Sequence, residues 1–401
     1  MAPYETDDAV DAAQEEAPRA GRRKAARYAV PVAVVGVAAA TIGLVPALAA
    51  SGDPDLPRIT AQQLIEKIAK SDVQQLSGTV RTSTDLGLPD LGGMESSLAS
   101  GAAKGSGGGS SADPQSKLTS LVSGTHTLRV AADGPQKQKL SLLESGSEYS
   151  LIHNGKDVWG YDSRSNEVYH GTSADSGKEH RAEPPATPKD FADEALKSMD
   201  DTTSVTVDGT ERVAGRDAYK LLIKPRQSGT TVGAISIAVD AKTGMPLKFT
   251  LTPKSGGAAV LDAGFTQVSF AKPDASAFAF TPPKGAKVTE EKKEKKEPMA
   301  RQHAPERGEF GKGLGGTAVL GKGWTSIATF DTGAKGGLPT GSKAGDLGGF
   351  LGSLGDKVSG KFGKGTVFST RLVNALITDN GKVYVGTVTK DALVKAANTG
   401  K

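Results

Sequence analysis

Cysteine is missing from all 401 residues. That absence excludes disulfides, thiolate catalysis, cysteine-ligated zinc, iron–sulfur clusters and a lipid-modified N-terminal cysteine. Aromatic residues are scarce at 5%, and hydrophobic residues reach only 37%, which argues against a large helical core of leucine and isoleucine. Charge nearly cancels: 49 Lys and Arg against 45 Asp and Glu leave a net +4, so nothing global points to nucleic acid as a partner. The excess is in glycine, 51 residues, about twice the ordinary share of roughly 7%. These proportions fit one moderate β-rich domain with glycine-rich segments around it.

The first 50 residues carry the address. Residues 1–27 form a tail, acidic from Met1 to Glu16 and then basic through Arg19, Arg22, Arg23, Lys24 and Arg27. Residues 28–50, Tyr28 to Ala50, are uncharged over about 23 positions, long enough for a bilayer that needs roughly 20. Basic residues ahead of an apolar run keep that end cytoplasmic. The run closes on Ala47-Leu48-Ala49, a small-residue pattern of the kind signal peptidases cut. A cleaved secretory signal and a retained single membrane anchor both fit. In either case Ser51 onward is exported, to the extracytoplasmic face of the cell membrane or beyond it.

The exported part reads as a β meander with two helices. A helix is expected over Ile59 to Leu76, with Thr60 as N-cap and a stripe of Leu64, Ile65, Ile68, Ala69 and Val73. A strand pattern at Leu76 to Thr84 breaks into a Gly/Ser-rich insertion, residues 87–116. From Gly124 short strands alternate with turns, among them the hairpin signal Asn154-Gly155. A second helix is expected at Thr187 to Met199, opening with Pro188. Five more strands run to Ala271. In all, about ten antiparallel strands and two helices are expected, with one face of the sheet buried.

A mixed-charge stretch, residues 289–310, reads as a linker. Residues 311–401 form a small Gly-rich C-terminal α+β unit. It has a strand pattern around Trp324, a loop from Thr332 to Lys364, a hairpin of Thr366–Thr378 with Lys382–Val388, and a last helix from Thr389 to Ala397.

No motif carries chemistry. Gly311 to Gly316 spells G-x-G-x-x-G but sits in a polar linker, not between a strand and a helix. The runs from Gly316 to Gly323 and from Gly355 to Phe362 approach a P-loop without the Ser or Thr that holds magnesium. The five histidines show no H-E-x-x-H pattern, although His153 and His170 are candidates to meet on neighbouring strands. There is no G-x-S-x-G elbow. Trp159 and Tyr161 share one strand face, as core residues or as the wall of a ligand cavity. No enzyme, cofactor or metal is expected, and function is expected to lie in a surface or a cavity.

Four passages resemble the LolA/RseB/LppX superfamily of lipoprotein-carrier-like and MucB/RseB-like envelope proteins, in the style of its actinobacterial members. They are Asn154 to Asp162, Val213 to Leu221, Val239 to Leu247 and Phe278 to Gly285, within a domain at residues 59–288. The Gly/Ser insertion is foreign to the carrier members. The resemblance implies an α+β fold: a curved antiparallel half-barrel lidded by helices, whose cavity holds lipid or lipoprotein acyl chains. Strand alternation nominates Val80, Leu128, Val130, Leu140, Leu142, Leu221, Ile223, Ile235 and Ile237 as its lining. Two alternatives come with it: an RseB-like sensor that binds a membrane protein such as an anti-sigma factor, and a structural envelope module without ligand.

Overall fold

Two runs of β meander flank a single early strand in the computed structural model. It describes residues 53–87, 110–114, 117, 121, 123–172, 187–291, 318–331 and 355–399. The apolar run 28–50, the G-x-G-x-x-G match at 311–316 and most of the expected insertion and linker lie outside the described residues. No helix among the described residues is long and apolar enough to cross a membrane.

The early strand is β1 (Gln75–Thr84). The first meander is β2 (Gly124–Asp133), β3 (Lys137–Glu144), β4 (Ser147–Asn154), β5 (Asp157–Asp162) and β6 (Glu167–Thr172). The second is β7 (Thr203–Val213), β8 (Arg216–Pro225), β9 (Val232–Asp240), β10 (Pro246–Pro253) and β11 (Leu261–Ser269), followed by β12 (Lys287–Glu290). They form one open, curved twelve-stranded sheet, in the order β12-β6-β5-β4-β3-β2-β1-β11-β10-β9-β8-β7. β1 is the seam, antiparallel to β2 on one side and to β11 on the other. Neighbours are antiparallel throughout except β12, which lies parallel to β6. This is the α+β half-barrel expected from the resemblance.

Turn chemistry sets the hairpins where the sequence indicated. Gly155 turns between β4 and β5 at φ 66°, a left-handed conformation that glycine adopts without steric cost. Gly244 has a second reason. Its φ is 76°, and a Cβ there would lie 2.3 Å from the Lys67 carbonyl oxygen, so only glycine lets the β9–β10 turn approach the first helix.

That helix, α1 (Ala61–Ala69), begins at the expected Thr60, whose hydroxyl accepts from Gln63 N while Gln63 Oε1 accepts from Thr60 N. It is shorter than the expected span to Leu76. Gln75 and Leu76 instead pair with Asp133 and Ala132 of β2, so sheet pairing overrides helical periodicity. The second helix, α2 (Pro188–Lys197), has the same capping box from Thr187 and Asp190. It carries the chain from the β6 side of the sheet to its far edge at β7.

The C-terminal unit is a six-stranded antiparallel sheet ordered β13-β14-β18-β17-β16-β15. Its strands are β13 (Ala318–Leu320), β14 (Ile327–Asp331), β15 (Asp356–Gly360), β16 (Gly363–Ser369), β17 (Asn374–Thr378) and β18 (Lys382–Gly386), with α3 (Lys390–Thr399) packed on it. Three expectations need correction here. Trp324 sits in a 3-10 turn at Gly323–Thr325, not in a strand. Thr366–Thr378 is two strands, because Thr370 closes a tight turn by accepting from Val373 N at 2.8 Å. Asp356–Gly360, expected as loop, is a strand that gains its partner from Gly363–Val367.

This unit docks on the half-barrel. Thr231 N donates to Thr387 O at 3.0 Å and Thr389 N to Gly229 O at 2.8 Å. Trp324 Nε1 donates to Thr203 Oγ1 at 2.9 Å. Arg371 reaches Asp85 Oδ2 at 2.7 Å, and its backbone N donates to Leu86 O at 2.8 Å.

Candidate functional site

The strand registers place all nine nominated residues on one face. Tyr149, Leu142, Leu128, Val80 and Phe265 stand opposite one another across β4, β3, β2, β1 and β11. Ala263, two residues before Phe265, continues the row through Phe249, Ile237, Leu221 and Val207. Val130 and Leu140 form the adjacent pair on one flank, Ile223 and Ile235 on the other.

That face is covered by the chain itself. Over β8 to β11, Leu64 and Ile68 of α1 and Ala192 of α2 are buried with Leu221, Ile223, Ile235 and Ile237, and Phe191 stacks on Phe249 at 5.4 Å. Over β4 to β6 lies part of the expected insertion. Ala112 is fully buried, and its carbonyl accepts from the Tyr149 hydroxyl at 3.2 Å. Lys117 meets the buried Asp162 at 2.7 Å. Gly160 makes this approach possible, since a Cβ there would lie 2.4 Å from the Ala112 carbonyl oxygen. Val80, Leu128, Leu221, Ile223 and Ile237 are wholly buried, Leu142 and Ile235 nearly so, and Val130 and Leu140 half-buried.

The opposite face is polar and holds two cavities that follow one another along β1. The larger, about 580 Å3, is floored by Ser77, Thr79, Arg129, Lys139, Ser141 and Gln267 among others. The smaller, about 340 Å3, is lined by Arg81, Ser83, Lys248, Asp262 and neighbours on β11. Of the nine nominated residues only Val130 touches either. The polar residues were within reach of the same alternation: they are the positions between those nominated.

Further along this face, Trp159 stacks on His170 with ring centroids 3.8 Å apart, and Trp159 and Tyr161 both meet Phe280. His170 lies between Asp157 at 3.1 Å and Glu290 at 2.8 Å. Burial works against its charge, but these two carboxylates outweigh it and hold the imidazole pKa above the ordinary value. His153 and His170 do not meet: they stand opposite Val158 and Trp159, hence on opposite faces with β5 between them. Among the described residues no cluster of three or more metal-ligating side chains forms. Gly355 to Phe362 builds β15 and its turn, and Ala318 to Leu320 builds β13, so neither P-loop-like run cradles a phosphate.

Residues 118–290 match the family model described as the MucB/RseB N-terminal domain. No curated protein matches the chain. Three solved structures are similar at low identity. The Pseudomonas aeruginosa MucA/MucB complex is 16% identical over 84% of this chain and 96% of that one, with TM-score 0.39. An uncharacterized conserved protein from Thermus thermophilus is 15% identical over 58% and 99%, with TM-score 0.31. A LolA superfamily protein from Nitrosomonas europaea is 11% identical over 56% and 99%, with TM-score 0.21. Such low scores carry no functional weight. The match over residues 118–290, from just before β2 to the end of β12, supports membership of the LolA/RseB-like superfamily for that stretch of the half-barrel.

Proposed function

We propose that the protein is a non-enzymatic binding protein of the cell envelope that acts as an RseB-like sensor, engaging a membrane-protein partner. The observation that favours this is the state of the apolar face. The residues nominated as cavity lining pack against α1, α2 and one another, so the face is satisfied without an acyl chain. Burial of each such side chain is worth about 1.5–3 kcal/mol, which an entering chain must first displace. Crosslinking on native membranes followed by pull-down tests the proposal. One specific membrane protein is expected, and recovery of abundant bystanders alone would sink the idea.

Lipid or lipoprotein acyl-chain binding is the second reading. It is favoured by the unbroken apolar row across the sheet and by the two separate covers above it, which could part like lids. Mass spectrometry of an organic extract of the native protein decides it: co-purified acyl chains support this reading, and a clean extract with no uptake of a fluorescent fatty acid removes it.

A further inference from the structure

The polar face of the sheet has a charge pattern that the fold does not use. Arg81, Arg129 and Lys139 stand on β1, β2 and β3, the first two exposed and the third half-buried. Among the described residues none of the three has a carboxylate within ion-pairing distance. The two acids beside them are engaged elsewhere: Asp262 with Lys248 at 3.2 Å, and Glu148 with the Ser150 hydroxyl at 2.8 Å.

The register sets the spacing. Arg81 pairs with Thr127, two positions from Arg129, and Lys139 pairs with Ala131, again two positions from Arg129. Each cation is therefore a diagonal neighbour of the next, about 7–8 Å away on the same face. An extended peptide presents alternate side chains about 6.8 Å apart, twice its rise per residue. Beside this diagonal, on β1 and β11, lie Ser77, Thr79 and Gln267, whose side chains make no hydrogen bond among the described residues and can serve a peptide backbone. No aromatic ring lines the larger cavity, so it offers nothing for a sugar ring to stack on.

We infer that this groove is the docking surface for the partner, and that it takes an extended acidic segment with carboxylates at alternate positions. The inference rests on the partner-binding reading above and adds the face, the charge sign and the spacing.

Fluorescence anisotropy with the full-length chain tests it. The probe is a fluorescein-labelled peptide of about eight residues alternating Glu and Ser, roughly 27 Å when extended. Its control alternates Gln and Ser. The acidic peptide is expected to bind and the control not. Binding should weaken from about 0.1 M to about 1 M salt, as the Debye length shrinks from about 10 Å to about 3 Å. The triple variant R81E/R129E/K139E should lose at least about tenfold in affinity, while K242E, the same kind of charge reversal at a single exposed turn position, should lose nothing. If the triple variant folds poorly, Arg129→Gln and Lys139→Gln singly should each weaken binding.

Undiminished binding to a folded triple variant overturns the groove, as does equal binding of the Gln peptide. So does binding of inorganic polyphosphate with no binding of the peptide. The membrane crosslinking experiment separates the two levels. A partner lost from the folded triple variant supports both readings. A partner retained by it removes the groove and leaves the sensor reading standing. Absence of both partner and peptide binding removes both.

Discussion

Two side chains show how single residues tune this sheet. Asp240 is almost wholly buried and accepts from Arg216, from the backbone N–H groups of Lys242 and Thr243, and from the Thr243 hydroxyl. Burial raises its pKa, but Arg216 and Thr243 outweigh that and hold it below the ordinary carboxylate value. A depressed folded pKa adds stability that is present above the unfolded value, near 3.8, and lost as pH falls through the folded one. Asp240→Asn should cost about 2 kcal/mol at neutral pH and flatten the fall in urea midpoint below about pH 4. His170 has the opposite sign. Its raised pKa adds stability that is full below the unfolded value of 6.5 and lost as pH rises through the folded one. The groups facing it are Asp157 on β5 and Glu290 on β12, with Glu291 near Gly171. Amides of Lys287–Glu290 should therefore lose protection as pH rises past neutrality, beyond the intrinsic rate change. His170→Gln should remove that dependence, as read by hydrogen exchange.

At the scale of elements, Glu167 at the start of β6 holds two different segments, the cover around Ser110 and Ser111 and the edge strand β12. Its carboxylate accepts from Ser110 Oγ, Ser111 N and Ser111 Oγ on one side and from Lys287 Nζ on the other. The lysine and then the serines pull its pKa down to about 2. Glu167→Gln should raise the exchange rate at Ser111 and across β12 together, while β2 to β5 stay protected. In the wild type the same loosening should appear only as pH falls from about 4.5 towards about 2. Much at this scale was legible beforehand. Thr60 and Thr187 marked helix starts, and Asn154-Gly155 marked a turn, because capping and turn geometry are set by neighbouring residues. β12 was not legible. Lys287 to Glu290 has no periodic apolar pattern, and its stability comes from β6, more than a hundred residues earlier. β15 was hidden for a different reason: its partner β16 is the very next strand, but Asp356 to Gly360 sits in a glycine-rich stretch and carries no apolar alternation.

For the whole molecule, the docking of the C-terminal unit could not be read from the sequence. Its contacts are backbone groups of Thr231, Thr387 and Thr389 and single side chains such as Trp324 and Arg371, none of which forms a motif. Trp324 joins the two bodies: its indole N–H reaches Thr203, its backbone N–H reaches Gln227 and its ring packs against the α1–α2 core. Trp324→Ala should uncouple them, so that one thermal transition becomes two, with the C-terminal sheet melting first in calorimetry. The candidate site was legible in part. The nine apolar residues nominated by alternation share one face of the sheet, but alternation is blind to what covers a face, and burial by α1, α2 and Ala112 is a property of the tertiary structure.

The seam strand also has a consequence for the order in which the chain acquires its shape. β1 leaves the ribosome early, yet one of its two hydrogen-bonded edges must wait for β11, where Ser77 meets Ser269 and Thr84 meets Leu261. Until that late strand arrives, the nascent sheet carries an unsatisfied edge next to an uncovered apolar row, a template for mispairing. Pairings this distant in sequence close slowly. The half-barrel therefore cannot close before its last long strand is delivered.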